Sequence, residues 1–273
     1  MSELAVAFVV REKFSVAHES LMSVLAAVPA EAAIFVVDTG YPAGVRADIA
    51  DLLQQHPANT ILPSEEYILP NAAFNRVVEV IESPHLLVVE NDVLLEEETV
   101  TRLVGTAKEW EADIVSPLIL QGRGRALHYD PPISTIAWEG EQLRSEVERI
   151  PRNGHGRVRG TRVVQHIEKH AFLVSRRGYE QLYPLEESLN TREQIDFSLK
   201  AFSRGLATVF DDQAVARYIA PPPLEPIDLE FFQWRWDEQA ARASNEYVEK
   251  TWKLVDFVPS LGFVRRMNSL LPK

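Results

Sequence analysis

The chain has 273 residues, a formal net charge of -12 and no cysteine. Its length suffices for one large α/β domain or two small ones, and the lack of thiols excludes disulfides and cysteine chemistry. The acidic excess argues against a nucleic-acid partner, which would need a surplus of Lys and Arg to neutralise phosphates. We therefore expect a site for a small ligand.

No apolar run of the sequence is as long as a membrane span. The first residues lack the basic segment and the cleavage site of a signal peptide. These two observations predict a cytoplasmic protein with no transmembrane segment.

Short apolar runs alternate with amphipathic segments through the first 120 residues. Runs at 4–10, 32–37 and 60–62 predict strands, and the segments between them carry apolar residues at helical spacing. This alternation predicts a mostly parallel sheet with helices on both faces. Arg11-Glu12-Lys13 follows the first strand, where a dinucleotide-binding domain or a sugar nucleotidyltransferase is expected to carry glycines. Both of these classes are therefore disfavoured.

Carboxylates follow two of the predicted strands. Asp38 ends the second strand, and the unbroken apolar run 86–89 ends in Glu90-Asn91-Asp92. The carboxyl ends of buried parallel strands form the edge at which open α/β sheets bind ligands. A divalent cation that bridges two phosphates would suit the two acids there. The alternative is a polar turn that caps the strand, and this stretch alone leaves both interpretations open.

A helix predicted to begin at Pro70 carries two asparagines four residues apart, and hence on one face. Asn71 could be the N-cap of this helix. Asn75 lies inside the helix, where Asn has no propensity advantage. A fifth strand is predicted at 113–117.

These motifs, in this order and spacing, resemble the nucleotide-binding half of family-2-type glycosyltransferases with the GT-A fold. The resemblance covers most of residues 4–120. It implies a GT-A-like, Rossmann-like α/β fold and a nucleoside diphosphate-sugar as the donor. Asp38 would contact the base or ribose of the donor, and Asp92, with Glu90, would hold Mg²⁺ or Mn²⁺. The backbone near Val9 to Glu12 would line the base pocket, and the donor-binding set is Val10, Arg11, Glu12, Asp38, Asn71, Asn75 and Asn91.

Residues 121–169 intersperse arginines with glycines in an otherwise acidic chain. Such a segment could be a mobile loop that grips a diphosphate or an anionic acceptor, or a solvated surface hairpin. His155, His166 and His170 have no recognisable metal-ligand spacing. We interpret these histidines as loop or core residues.

A second acidic motif begins a helix at Thr191-Arg192-Glu193-Gln194-Ile195-Asp196. Thr191 and Gln194 have the spacing of a capping box. The segment resembles the acceptor-side Arg-Glu-Asp-x-Asp pattern of the same family, whose first Asp is the catalytic base. Gln194 stands at that position, and an amide cannot accept a proton at neutral pH. Either Glu193 or Asp196 takes the role, with inversion at the anomeric carbon and a hydroxyl acceptor, or the chain is a catalytically silent nucleotide-binding or assembly module.

Another departure from the family pattern follows the strand predicted near residue 209. Many relatives have a metal-binding His after the stretch 214–218, where this chain has Arg217 and Tyr218. The need for a metal is therefore left open by the sequence.

Three prolines at 221–223 mark a boundary between a domain at 1–220 and a helical C-terminal extension at 221–273. The aromatic residues from Phe231 to Trp252 predict core packing or a subunit interface, or else acceptor binding by stacking on a sugar. The apolar and basic tail after residue 256 predicts a peripheral contact with a membrane or with a second copy of the chain.

Overall fold

The apolar runs of the sequence become the inner strands of one large sheet. The structure is a computed structural model that describes residues 2–129, 131–147 and 159–272. Its strands are β1 Leu4–Val9, β2 Ala33–Asp38, β3 Asn59–Pro63, β4 His85–Glu90, β5 Val93–Leu95, β6 Ile114–Gln121, β7 Leu127–Tyr129, β8 Thr135–Glu139, β9 Gln142–Glu146, β10 Arg162–Val163, β11 Ala171–Ser175 and β12 Thr208–Tyr218. Its helices are α1 Ala17–Ala27, α2 Ala43–Leu53, α3 Pro70–Val78, α4 Thr99–Glu109, α5 Arg176–Leu182, α6 Glu193–Ser203, α7 Leu229–Arg235, α8 Glu238–Trp252 and α9 Gly262–Asn268.

The strand order of the main sheet is β10-β12-β6-β11-β4-β1-β2-β3. The strands β1 to β4 are parallel to their neighbours among themselves, and β6 is parallel to β12. Only β11 lies between these two parallel groups, and it is antiparallel to both β4 and β6. The predicted mostly parallel sheet is confirmed, and its parallel strands end at the same edge.

Helices cover both faces of the sheet because the side chains of β1 alternate between two cores. Val6 and Phe8 pack with α1, α2 and α4 on one face. Ala5 and Ala7 pack with α3, α5 and α6 on the other. The central strands are thus buried on both sides, as their uninterrupted apolar sequences predict.

Two predicted helix starts differ from the structure. The N-cap of α3 is Leu69, with Pro70 in the first turn, so Asn71 does not cap the helix. The N-cap of α6 is Arg192, whose φ is 67° and whose side chain makes no capping bond. The predicted Thr191 and Gln194 capping box does not form, and Thr191 Oγ1 and Gln194 Nε2 are buried without a hydrogen-bond partner.

The C-terminal extension packs on the sheet domain through α7. The Phe231 ring lies 4.9 Å from the Phe14 ring and belongs to the main core. Asp228 accepts hydrogen bonds from the backbone N–H groups of Phe14 and Ser15 and from Ser15 Oγ. Predicted aromatic packing is confirmed here, since Phe231, Phe232 and Trp236 are buried.

Part of the apolar tail packs within the chain itself. Val264 and Met267 of α9 pack against Phe232 and Trp236 of the same chain. In the part of the chain that the structure describes, no helix is both long and apolar enough to cross a membrane.

The arginine-rich segment contains the β8 and β9 hairpin. Arg123 pairs with Glu19 at 2.7 Å, and Arg144 pairs with Glu139 at 2.7 Å. These two guanidinium groups lie in surface ion pairs. Arg149, Arg152, His155 and Arg157 lie outside the described residues.

Candidate functional site

A cavity of about 410 Å³ opens at the carboxyl edge of the parallel strands. It lies where β1, β6 and β12 end and where β11 and α6 begin, and the C-terminal extension covers it from above. Charged and polar side chains of the sheet domain line one wall: Arg11, Glu12, Gln121, His128, Glu168, His170, Arg192, Glu193, Gln194 and Tyr218. Apolar side chains of the extension line the other: Trp236, Phe263, Val264, Met267 and Leu270.

Beneath this cavity lies Asp92, whose two carboxylate oxygens are fully buried and have no hydrogen-bond partner. Burial raises the pKa of Asp92 well above its usual range, and the neighbouring charges of Glu12 and Glu90 raise it further. A buried carboxylate without a partner is costly, and three acids in one cluster favour a cation. The donor set therefore fits a hard divalent ion.

Both carboxylate oxygens of Glu90 have a polar partner, one charged and one neutral. Arg11 Nη1 lies 2.8 Å from Glu90 Oε1, and His170 Nδ1 lies 2.5 Å from Glu90 Oε2. The same Arg11 nitrogen lies 3.1 Å from Glu193 Oε1. Glu90 thus has local compensation for its charge, whereas Asp92 has no bonded partner.

Asn91 fastens the loop after β1 to the end of β4. Its Oδ1 accepts from the Arg11 backbone N–H, and its Nδ2 donates to the Lys13 carbonyl. The amide therefore fixes the backbone at Arg11 and Lys13, in and next to the segment Val9 to Glu12 that we predicted to line a base pocket.

Two histidines and a glutamate stand together on the polar wall. His128 comes from β7, and Glu168 and His170 precede β11. Tyr218 stacks on His170 with a centroid distance of 3.8 Å, and the hydroxyl of Tyr218 donates a hydrogen bond to Glu12. Burial lowers the pKa of His128 and His170 well below the usual range, so both imidazoles are neutral at pH 7.

His170 was interpreted from the sequence as a loop or core residue; it is buried in the structure and also lines the cavity. His128 and Glu168 were not predicted at all. A sequence signal exists for Glu168 and His170 but not for His128: His166, Glu168, Lys169 and His170 directly precede an apolar strand. Polar residues at the start of an antiparallel strand reach the same edge as those that end the parallel strands.

The two acids of the second motif have different surroundings. Glu193 lies on the cavity wall and pairs with Arg235 Nη2 at 2.8 Å. Burial alone would raise the pKa of Glu193, but the charges of Arg235, Arg11 and Lys169 lower it overall. Asp196 lies behind the wall, where its Oδ1 accepts from Trp252 Nε1 at 2.8 Å, and burial raises its pKa.

Asp38 lies at the same edge as Asp92 but is hydrogen-bonded. Its oxygens accept from the Gly40 and Tyr41 N–H groups and pair with Arg46 Nε at 2.7 Å. Burial raises the pKa of Tyr41, and the charges of both Asp38 and Asp92 raise it further, so both carboxylates are within electrostatic reach of one ring. The two acids therefore share one edge of the sheet.

The aromatic side chains of α7 pack close to the turn that follows Asp38. Phe231 and Trp234 lie 5.2 and 5.5 Å from Tyr67, which packs against the Gly40 turn. Asp38 itself is only 6% exposed. The C-terminal extension therefore packs beside the sheet edge at Asp38.

Asn71 and Asn75 hold the loop between α5 and α6 instead of lining the cavity. Asn71 Nδ2 donates to the Glu186 carbonyl, and its Oδ1 accepts from Lys169 Nζ. Asn75 donates to the Leu185 carbonyl and to Glu187, and it accepts from the Leu185 N–H. Burial lowers the pKa of Lys169 to about 8.

No protein-family model and no curated protein matches the chain. Solved structures do match it. S. aureus TarS 1–349 in complex with UDP-GlcNAc has a TM-score of 0.61 at 14% identity, over 97% of this chain and 70% of that one. A second structure of S. aureus TarS 1–349 has a TM-score of 0.59 at 15% identity, over 92% of this chain and 72% of that one.

GalNAc-T7 with UDP, GalNAc and Mn²⁺ has a TM-score of 0.63 at 13% identity, over 97% of this chain. The chain spans about half of the length of GalNAc-T7, at 53%. These proteins are glycosyltransferases with the GT-A fold. The chain has the same fold, which confirms the fold class expected from the sequence.

Proposed function

We propose that the chain is a glycosyltransferase, which binds a nucleoside diphosphate-sugar at the carboxyl edge of the sheet and transfers the sugar to a hydroxyl acceptor. The observation that carries this proposal is Asp92, a buried carboxylate with no partner at the end of β4 in a GT-A fold. A buried carboxylate without a hydrogen-bond partner, beside a cavity, is suited to a metal and the diphosphate that the metal binds.

Asp92 would hold the metal, and the charges of Glu12 and Glu90 act on the same carboxylate. Glu90, whose oxygens are engaged by Arg11 and His170, would act directly or through water. When bound, Mg²⁺ or Mn²⁺ supplies positive charge that offsets the charge of the departing diphosphate. GalNAc-T7 has been solved with UDP, GalNAc and Mn²⁺, and TarS 1–349 has been solved with UDP-GlcNAc.

The donor would lie along the loop after β1. The backbone of Val10 to Glu12, which Asn91 fixes in place, would line the base pocket. Asp38 would contact the base or ribose. We do not extend this role to Asn71 and Asn75, because their amides are buried and bonded to the loop before α6.

Glu193 is the predicted acid that can meet an acceptor in the cavity, because Asp196 lies behind it under Trp252. Its lowered pKa keeps the carboxylate ionised at neutral pH. Glu193 would hold the acceptor hydroxyl and take its proton during displacement, which gives inversion at the anomeric carbon. Gln194, on the same wall, would contribute only hydrogen bonds.

Calorimetry tests this proposal with a panel of nucleoside diphosphates, with and without Mn²⁺. We expect one nucleotide to bind in a metal-dependent manner, and Asp92→Ala to abolish the metal-dependent part. Glu97→Gln, which changes an exposed acid far from the cavity, serves as the control. Unchanged nucleotide affinity in Asp92→Ala would reject the role assigned to Asp92.

A turnover assay separates the enzyme from a silent binding module. Donor hydrolysis in the presence of Mn²⁺ is expected for the wild-type chain, and Glu193→Gln should lower it more than Asp196→Asn does. Nucleotide binding without any turnover, over a range of hydroxyl acceptors, would instead indicate the silent module.

A further inference from the structure

The Nε2 atoms of His128 and His170 face each other across 3.2 Å on the cavity wall. Their Nδ1 atoms point away from each other and are both bonded. His128 Nδ1 lies 2.7 Å from Gln121 Oε1, and His170 Nδ1 lies 2.5 Å from Glu90 Oε2. Each partner is an oxygen that can only accept.

These two contacts favour the Nδ1–H tautomer of each imidazole, because both partners are oxygen acceptors and a neutral imidazole has one N–H. In that tautomer each Nε2 carries a lone pair, and the two lone pairs face one another. Such an arrangement is repulsive unless a cation lies between the two nitrogens.

The spacing matches that of two ligands on one tetrahedral ion. Zn–N bonds of about 2.0–2.1 Å at a tetrahedral angle place the two nitrogens about 3.3 Å apart. Glu168 supplies a third donor, because its Oε2 lies 3.8 Å from His128 Nε2 and its Oε1 lies 3.8 Å from His170 Nε2. The ligand atoms of His128, Glu168 and His170 all lie within 4.8 Å of one another.

We propose that His128 Nε2, His170 Nε2 and Glu168 form a Zn²⁺ site whose fourth position opens into the cavity. All three residues line the cavity, so water or an oxygen of a bound ligand can fill that position. Glu90 and Gln121 orient the two histidines from behind, in the manner of the carboxylates and amides that support zinc ligands. The nearby positive charge of Arg11 is offset by its own pairs with Glu90 and Glu193.

This site is different from the one at Asp92, which would use carboxylate oxygens and a hard ion. The His170 ring separates the two, because its Nδ1 edge meets Glu90 and its Nε2 edge meets His128. Imidazole ligands favour Zn²⁺, whereas carboxylates favour Mg²⁺ and Mn²⁺. The Zn²⁺ site goes beyond the proposed function and holds whether or not the cavity binds a nucleotide.

Zn²⁺ titration of the EDTA-stripped full chain tests this inference by calorimetry and by metal content after gel filtration, without any nucleotide. We expect the wild-type chain to retain one Zn²⁺ in the presence of excess Mg²⁺. His128→Gln and Glu168→Gln should weaken this binding at least tenfold, and Gln121→Leu should weaken it about 10- to 100-fold through the orientation of His128. His18→Gln, at an exposed histidine, should bind like the wild type.

Circular dichroism shows which of these variants are folded, and Gln121 is exposed enough for its substitution to be tolerated. Failure of the wild-type chain to retain Zn²⁺ would overturn the proposal. So would wild-type affinity in folded His128→Gln or Gln121→Leu protein.

Discussion

Arg235, the last residue of α7, donates a hydrogen bond from Nη2 to Glu193 Oε1, the first residue of α6, at 2.8 Å. The two side chains are 0% and 5% exposed. This ion pair joins the C-terminal extension to the wall of the cavity, so the extension supports the candidate site directly.

Replacing Arg235 by Met should destabilise the protein by about 3–5 kcal/mol, because it leaves the buried carboxylate of Glu193 short of a partner. Chemical denaturation gives the free energy of unfolding. Arg242→Met is the matched control, since Arg242 pairs with Glu238 on an exposed face of α8 and should cost no more than about 1 kcal/mol. An equal loss in both variants would contradict a special role for the buried pair.

The contribution of Glu193 to stability should depend on pH. Its pKa is lowered from 4.5 in the folded chain, so the stabilisation is present above pH 4.5 and is lost as the pH falls through the folded pKa. Glu193→Gln lacks this titration. The difference in unfolding free energy between the wild type and this variant should therefore shrink below pH 4.5, as measured by denaturation over an acid series. A constant difference would mean that the charge of Glu193 is not stabilising.

The same substitution at two strand-end aspartates should have opposite effects. Asp92→Asn removes a buried charge that Glu12 and Glu90 repel, and we expect a gain of about 1–2 kcal/mol in EDTA. Asp38→Asn weakens the pair with Arg46 and should cost about 1 kcal/mol. Melting temperatures of both variants in one buffer check this. A loss of stability in Asp92→Asn would show that Asp92 already has a partner in the folded chain.

Asn75 should be important for stability and not for nucleotide binding. Asn75→Ala removes its three hydrogen bonds to Leu185 and Glu187 and should cost about 2–3 kcal/mol. Asn268→Ala, which removes one bond to the Trp236 carbonyl, should cost about 1 kcal/mol. If folded Asn75→Ala protein lost nucleotide affinity with little loss of stability, the donor role predicted from the sequence would be restored.

The inner strands of the sheet, such as β1 and β4, were predictable because they are buried on both faces and therefore have continuous apolar sequences. The end of the central strand was also predictable, because its four apolar residues are followed directly by Glu90, with Asp92 two residues later. Periodicity also indicates the helices, but their first residues depend on tertiary contacts. Ser15, for example, does not cap α1, because its hydroxyl is bonded to Asp228.

The polar wall could not be predicted from local spacing. His128 and His170 are 42 residues apart and belong to β7 and to the approach to β11. They meet because β11 is antiparallel to its neighbours β4 and β6. The direction of a strand within a sheet cannot be inferred from its local sequence. The partners of Asn71 and Asn75 lie more than 90 residues away for a similar reason.

The bonds of Asp228 also bear on how the chain folds during synthesis. In the turn before α1, the Phe14 N–H donates to Asp228, which lies 214 positions later in the chain. This is one of the largest sequence separations among the side-chain contacts described. Contacts of such high separation form late and slow the folding of a domain. The N–H groups of Phe14 and Ser15 therefore gain this acceptor only after residue 228 has left the ribosome.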